Sequence, residues 1–409
     1  MAIIDHRPST IDQSYASSER VYSVGIYDTD YPQRRMINNK AEGCRYVQVK
    51  KISGIKSIFV RIIHKFFPSL ISRDTFGDAK LFTIYIPPNK GIDLIHTFNR
   101  IVLDNNHKWA ATVETTLPAF FSDDPVSRRK YMNKRLKHIL SDNCKAIMPM
   151  SKWAYDLEIQ LLSKFASDDE AQCVKGKMRM LYPPQECFFT AEDVRRKCQA
   201  LNVSQKFHFF YVGKDFVRKG GEIVIKVFDE LSREYDNFSV IAIGNPKRDT
   251  ARYNFTEESY EELMHIIKNS SWLQYYKSLP NDKVIELAKQ SNVGLLPTFG
   301  DTFGFSILEM QSCGCPVITT NGEARSEINN DACGWMIDTK NLKPGNNTHD
   351  NIEIKRSAIS SQLKDIVRTI LDDPSCIEQK ALRSIERIRE YHSPSKYSEE
   401  LKKIYALCR

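Results

Sequence analysis

Apolar and polar positions alternate along this chain in two successive series. The first has short apolar runs at VYSVGIY (21–27), RYVQVKKI (45–52), KLFTIYIP (80–87), GIDLIHTF (91–98), KWAATVET (108–115) and CKAIMPMS (144–151). Turn-forming residues or helix-like stretches separate them. Runs of this kind read as strands, and their alternation with helices predicts a doubly wound parallel sheet. The second series begins at KFHFFYVG (206–213) and continues through NFSVIAIG (237–244), NVGLLPT (292–298) and PVITTN (316–321). Between these strands GGEIVIKVFDELSREY, DKVIELAKQS and FSILEMQSCG carry helical spacing. The pattern predicts an α/β chain of two Rossmann-like domains, 1–200 and 206–385, divided in the polar stretch 190–205. Residues 1–20 read as a flexible polar arm and 338–357 as a surface loop. Two helical patterns, at 358–373 and 377–409, end the chain.

A length of 409 residues suits two domains, and 41% hydrophobic with 27% charged residues is ordinary for a globular chain. No stretch approaches the roughly 18 unbroken apolar residues of a membrane span. The first residues lack the basic start and apolar core of a secretory signal. The ten cysteines are scattered with no CxxC pair, which fits a reduced, cytoplasmic chain and offers no zinc spacing.

Net charge is +8, and it is unevenly placed. Residues 1–200 hold about 31 Lys and Arg against about 22 Asp and Glu, so the remainder is near neutral. The basic half is expected to meet something anionic. No nucleic-acid-binding module is recognisable, so nucleic acid is not the expected partner. In KKISGIKSIFVRIIHKFF (50–67), Lys50, Lys51, Lys56, Arg61 and Lys65 alternate with Ile55, Ile58, Phe59, Ile62, Ile63 and Phe66. That pattern suits an anionic membrane surface, and equally a helix packed on the sheet with a solvated basic rim. RRKYMNKRLKH (128–138) is a second basic cluster.

The stretch richest in chemistry is PTFGDTFGFSILEMQSCGCPVITTNGEARSEI (297–328). A strand ends at Pro297, and a helix opens near Phe305. The unpaired amides of a helix start carry partial positive charge and accommodate a phosphate. Gly304 lets backbone approach a ligand. Asp301 and Glu309 place two carboxylates around that point, suited to hydroxyl recognition. The same spacing also fits a plain crossover with solvated acids. A second block, YVGKDFVRKGGEIVIKVF (211–228), puts Lys214, Arg218 and Lys219 at a strand-to-helix turn, where cations suit a diphosphate. A solvated basic loop is the alternative.

Together these blocks resemble the signature of the retaining glycosyltransferases of family four (glycosyl transferases group 1), which have the GT-B fold. Glu309 matches the second Glu of the family's Glu-x7-Glu motif, and CGCPVITTN (313–321) matches the strand after its helix. Phe303 and Gly304 match its turn. Asp301 stands where the family has the first Glu, and Lys214 where Arg is commoner. The resemblance implies a donor nucleotide-sugar with its ribose on Glu309 and a sugar hydroxyl on Asp301. The turn at Phe303, Gly304 and Phe305 would hold it through backbone groups. Lys214, Lys219 and Arg218 would neutralise the leaving diphosphate. It also implies that residues 386–409 cross back onto the first domain, and that the acceptor is a glycan or lipid-linked molecule. No cofactor or metal is expected, because no Asp-x-Asp cluster occurs in a suitable loop. Catalytic roles are thus expected at Asp301, Glu309 and Lys219.

The first half resembles the family only in outline. Glu114 stands where many members carry a His near the sugar, and is a candidate active-site acid or a strand-end cap. His96 closes the preceding strand and reads better as a hydrogen-bonded structural residue. Ser151 fits a helix N-cap. Arg34 and Arg35 meet an anion or remain solvated. Glu327 is given no catalytic role. The alternative to an enzyme is a non-catalytic basic binding protein on the same scaffold.

Overall fold

The computed structural model describes residues 21–27, 30–50, 91–103, 105–119, 125–247, 253–343, 345 and 348–407, with short pieces at 62–63, 65–66, 83–84 and 86. The arm at 1–20, most of the basic-apolar segment 50–67 and most of the run 80–87 lie outside the described residues.

Strands β1 (Ser23–Ile26), β2 (Arg45–Gln48), β4 (Leu94–Phe98), β6 (Trp109–Val113) and β7 (Cys144–Pro149) form one parallel sheet in the order β2-β1-β4-β6-β7. Strands β4 and β6 are buried at every position, the pattern of strands covered on both faces. The described part of KLFTIYIP is β3 (Thr83–Ile84), which pairs with β5 (Ile101–Val102) in a separate two-stranded sheet instead of joining the main one. The second sheet is parallel in the order β10-β9-β8-β11-β12-β13. Its strands are β8 (Phe207–Asp215), β9 (Phe238–Asn245), β10 (Leu273–Tyr276), β11 (Val293–Leu296), β12 (Val317–Thr320) and β13 (Gly334–Ile337). Strand order reverses between β1 and β4 in one sheet and between β8 and β11 in the other. Ligands of open α/β sheets bind at such switch points, beyond the strands' carboxyl ends.

Helices α1 (Tyr31–Met36), α2 (Pro125–Leu140), α3 (Lys152–Phe165) and α4 (Asp168–Lys177) accompany the first sheet. Helix α5 (Ala191–Ser204) occupies the stretch read as the domain divide. Its Val194, Cys198 and Leu201 are buried in the core of the second sheet, so the helix belongs with that sheet. Helices α6 (Gly221–Leu231), α7 (Glu257–Asn269), α8 (Asn281–Gln290), α9 (Phe305–Ser312) and α10 (Arg325–Ile328) follow. Helix α11 (Thr348–Asp372) begins well inside the segment expected as a loop, because Ile359, Leu363, Val367 and Ile370 bury a continuous stripe. The final pattern is two helices, α12 (Cys376–Tyr391) and α13 (Pro394–Ala406). Ser393 caps the second and Pro394 opens it, which breaks the run.

Helix α13 packs on the first sheet. His96 Nδ1 lies 2.8 Å from Tyr405 Oη, and its Nε2 lies 2.9 Å from Thr112 Oγ1. The Tyr397 hydroxyl donates to Met36 O at 2.7 Å. Burial holds His96 neutral, lowering its pKa to about 3. Among the described residues no helix is long and apolar enough to cross a membrane.

Glu158 of α3 lies beneath the loop after β6. Its Oε2 accepts from Leu117 N at 2.8 Å, and burial pushes its pKa up from 4.5 to about 8. Between those values the folded chain binds more proton than the unfolded one, so stability falls as pH rises through the window. Glu158→Gln removes that titration. The melting temperature of the variant is expected to gain on the wild type steadily from about pH 5 to about pH 8. A constant difference across that range would contradict the assignment.

Candidate active site

At the switch point of the second sheet the opening turns of two glycine-started helices meet. Gly220 (φ 82°) precedes α6 and Gly304 (φ 92°) precedes α9, both in the left-handed region. A Cβ on Gly220 would lie 2.1 Å from Pro297 O, so only glycine lets the two turns touch. The turns are stitched by Phe299 N donating to Arg218 O at 2.9 Å and by Arg218 Nη1 donating to Gly300 O at 2.6 Å. Two sets of unpaired helix amides are thereby brought to one place.

The charged side chains of both motifs meet there. Lys219 Nζ lies 3.1 Å from Asp301 Oδ2, and Arg218 Nη1 lies 3.8 Å from Asp301 Oδ1. Arg218 is also held by Asp215 at 2.6 Å, so its fork is committed to the protein. Lys214 is exposed at the end of β8. Glu309, on the first turns of α9, is within electrostatic reach of Lys219. Burial pushes the Glu309 carboxyl up, while Arg35, the Tyr31 hydroxyl and Lys219 pull it back towards the ionised form. Phe303 is buried in the core, which leaves its backbone alone for a ligand. Phe305 is partly exposed, with its ring 5.2 Å from that of Phe303.

The first domain faces this cluster. Glu114, just past β6, accepts a hydrogen bond from Thr302 Oγ1, across the cleft in the loop of Asp301. Burial raises its pKa; the Thr302 hydroxyl and Arg218 oppose that, and Asp301 adds to it. Two carboxyls thus sit close together, one with a tendency to keep its proton. His96 lies within the core between Thr112 and Tyr405. Ser151 caps α3, accepting from Ala154 N at 3.0 Å. Glu327 accepts from the Lys152 and Trp153 amides at 2.7 and 2.6 Å and from the Tyr182 hydroxyl at 3.0 Å. It joins the domains through the N-terminus of α3.

Some residues of the cluster gave no usable signal in the sequence. The Tyr31 hydroxyl donates to Glu309 Oε1 at 3.2 Å. Arg35, one of two adjacent arginines read as solvated or anion-binding, lies 3.7 Å from the same atom. Arg325 is 1% exposed; its Nη1 donates to Asp301 O, its Nε to Thr320 O at 3.0 Å, and it pairs with Glu323 at 2.6 Å. It pins the backbone of the loop that carries Asp301. Among the described residues no group of three His, Cys, Asp or Glu side chains is placed to hold a metal ion.

Residues 195–347 match the family described as glycosyl transferases group 1. The chain is 25% identical over 226 residues to O-antigen chain mannosyltransferase B of Escherichia coli, covering 53% of this chain and 54% of that protein. It is 22% identical over 213 residues to a D-inositol 3-phosphate glycosyltransferase of Corynebacterium diphtheriae, covering 51% and 44%. The chain thus spans about half the length, or less, of the curated relatives it matches. Among solved structures, the Anabaena protein HepE in complex with UDP and glucose superposes with a TM-score of 0.55 at 11% identity, covering 94% of this chain and 91% of that one. A glycosyltransferase from Rickettsia africae gives 0.53 at 17% identity, covering 89% and 85%. At these identities the superpositions speak for the fold. Residues 195–347 thus match the glycosyl transferases group 1 family, in a chain with the GT-B fold.

Proposed function

We propose that this chain is a retaining glycosyltransferase. In this reading it moves a hexose from a UDP- or GDP-sugar to a glycan or lipid-linked acceptor in the synthesis of cell-surface polysaccharide or glycoconjugate. One observation carries the reading: Lys219, Asp301 and Glu309 gather at two adjacent helix starts on a sheet switch point. A pyrophosphate needs cations and amide donors, and the two hydroxyl-bearing ends of a nucleotide-sugar need acceptors. The cluster has both. The O-antigen chain mannosyltransferase of Escherichia coli and the UDP and glucose bound in the Anabaena structure support a nucleotide-sugar donor and a glycan acceptor.

In this reading the diphosphate lies over the openings of α6 and α9, and Lys219 turns from Asp301 to the phosphate. Glu309 accepts from the ribose hydroxyls and Asp301 from a hydroxyl of the sugar. The bond from the anomeric carbon to the phosphate oxygen breaks, and the acceptor oxygen bonds to that carbon on the same face. The acceptor's proton passes to the departing phosphate oxygen. Charge on that oxygen is met by Lys219, with Arg218 and Lys214 beside it, and by the helix amides. Glu114, inclined to stay protonated, faces the sugar from the first domain. These cations take the part that a metal plays elsewhere, so no resident metal or cofactor is required.

The reading extends to contact with an anionic membrane through residues 50–67, with the basic helix α2 as a second cluster. Helix α2 has no acidic residue, and its Arg129, Lys130, Lys134 and Lys137 are exposed. Ile62, Ile63 and Phe66 are exposed as well. Exposed cations and exposed apolar side chains of these kinds suit a lipid surface on the cytoplasmic side.

Purified chain is expected to release UDP or GDP from a nucleotide-sugar, with EDTA leaving the rate unchanged. Lys219→Ala should lower turnover by about two to three orders of magnitude in protein that circular dichroism shows to be folded. Release that is absent in the wild type with every UDP- and GDP-sugar offered would sink the enzyme reading in favour of a binding protein. Co-sedimentation with vesicles containing phosphatidylserine is expected to fall steeply with salt and to be lost when the four α2 cations become Gln. Equal sedimentation of that variant would remove the membrane contact.

A further inference from the structure

Arg35 belongs to the first domain, yet its side chain is spent on the second. Its Nη1 lies 3.7 Å from Glu309 Oε1. Its Nη2 donates to Gln185 Oε1 at 2.8 Å, and its guanidinium lies 5.1 Å from the centre of the Phe305 ring. Three partners fix the fork, and 18% of the side chain remains exposed. The Tyr31 hydroxyl reaches the same carboxylate oxygen, with its ring edge-on to Phe305 at 5.8 Å. Position in the fold makes this more than a chance pairing: α1 follows the switch-point strand β1, and α9 follows the switch-point strand β11. The two sheets therefore aim Arg35 and Glu309 at one another.

A carboxylate as buried as Glu309 stays charged only while a cation faces it. The groups facing it are Arg35 and Tyr31 from α1 and Lys219 from the turn before α6. Lys219 is already shared, 3.1 Å from Asp301 and assigned above to the diphosphate. Arg35 is the cation left for Glu309. Charge matters here because a ribose diol donates hydrogen bonds; an ionised carboxylate only accepts, whereas a protonated one has a donor of its own to place.

We propose that Arg35 is the first domain's contribution to the nucleotide subsite, keeping Glu309 ionised and aimed at the ribose so that the acid reaches full strength when the domains are together. The proposal rests on the reading of Glu309 as the ribose acid. Arg35 is a positioning residue that acts through Glu309.

The test is calorimetric titration of the full chain with UDP and with GDP between about pH 5.5 and pH 8. Arg35→Met is expected to weaken binding about tenfold at the acid end and to approach the wild type at the alkaline end. Arg35→Lys should restore most of the affinity and the flat profile, because it returns the charge. If the Met variant does not fold, Arg35→Gln takes its place. Unchanged affinity overturns the proposal, as does a loss equal at every pH, which marks a merely structural contact. Tighter binding in the Met variant also overturns it, since Arg35 would then compete with the ribose. A wild type that binds neither nucleotide overturns the functional reading and this proposal together.

Discussion

A carboxylate withdrawn from water must be matched by a cation, and the cleft of this protein has several to match. Asp301 faces Lys219 and Arg218, Glu309 faces Arg35 and Lys219, and half-buried Glu323 meets buried Arg325. Almost every charge at the site is thus held by another protein charge at rest. Breaking one half of such a buried pair costs far more than the pair itself contributes. This constraint explains why the glycine turns at Gly220 and Gly304 approach so closely, since a wider gap would leave Lys219 without its acid. It also means that an anionic ligand entering the site exchanges one partner for another instead of meeting bare charges.

Much of this arrangement was legible before any coordinates. The runs around KFHFFYVG, NVGLLPT and PVITTN announced buried parallel strands because both faces are covered, and Asp301, Glu309 and Lys219 stood at strand-to-helix turns where helix amides point outward. The failures have physical causes. Helix α11 was read as a loop at its start because Asn, Gly and Pro in the preceding turn masked a stripe that shows only from Ile359 onward. The divide at 190–205 was polar on one face alone, since α5 keeps Val194, Cys198 and Leu201 for the second core. Tyr31, Thr302 and Arg325 carried no local mark. Their roles come from tertiary proximity: Tyr31 and Glu309 are 278 residues apart in sequence.

Among the described residues, polar contacts of different kinds join the two domains beside a shared apolar cluster. Glu327 caps α3 with its carboxylate on two backbone amides, a charge at the positive end of a helix. Glu114 and Thr302 meet at the mouth of the site. Helix α13 lies on the first sheet through His96 and Met36. Polar joints of this kind lose their geometry over a small displacement, while apolar ones slide.

The hydrogen bond between His96 and Tyr405 closes a loop of 309 residues. A ribosome adding about 5–20 residues per second needs many seconds to make that span. Until then the imidazole has Thr112 as a partner and an empty place where the phenol will sit. The first sheet must therefore wait, incompletely covered, while the whole nucleotide-binding half is made and folded. Helix α13, made after both sheets, is the one that covers the first of them.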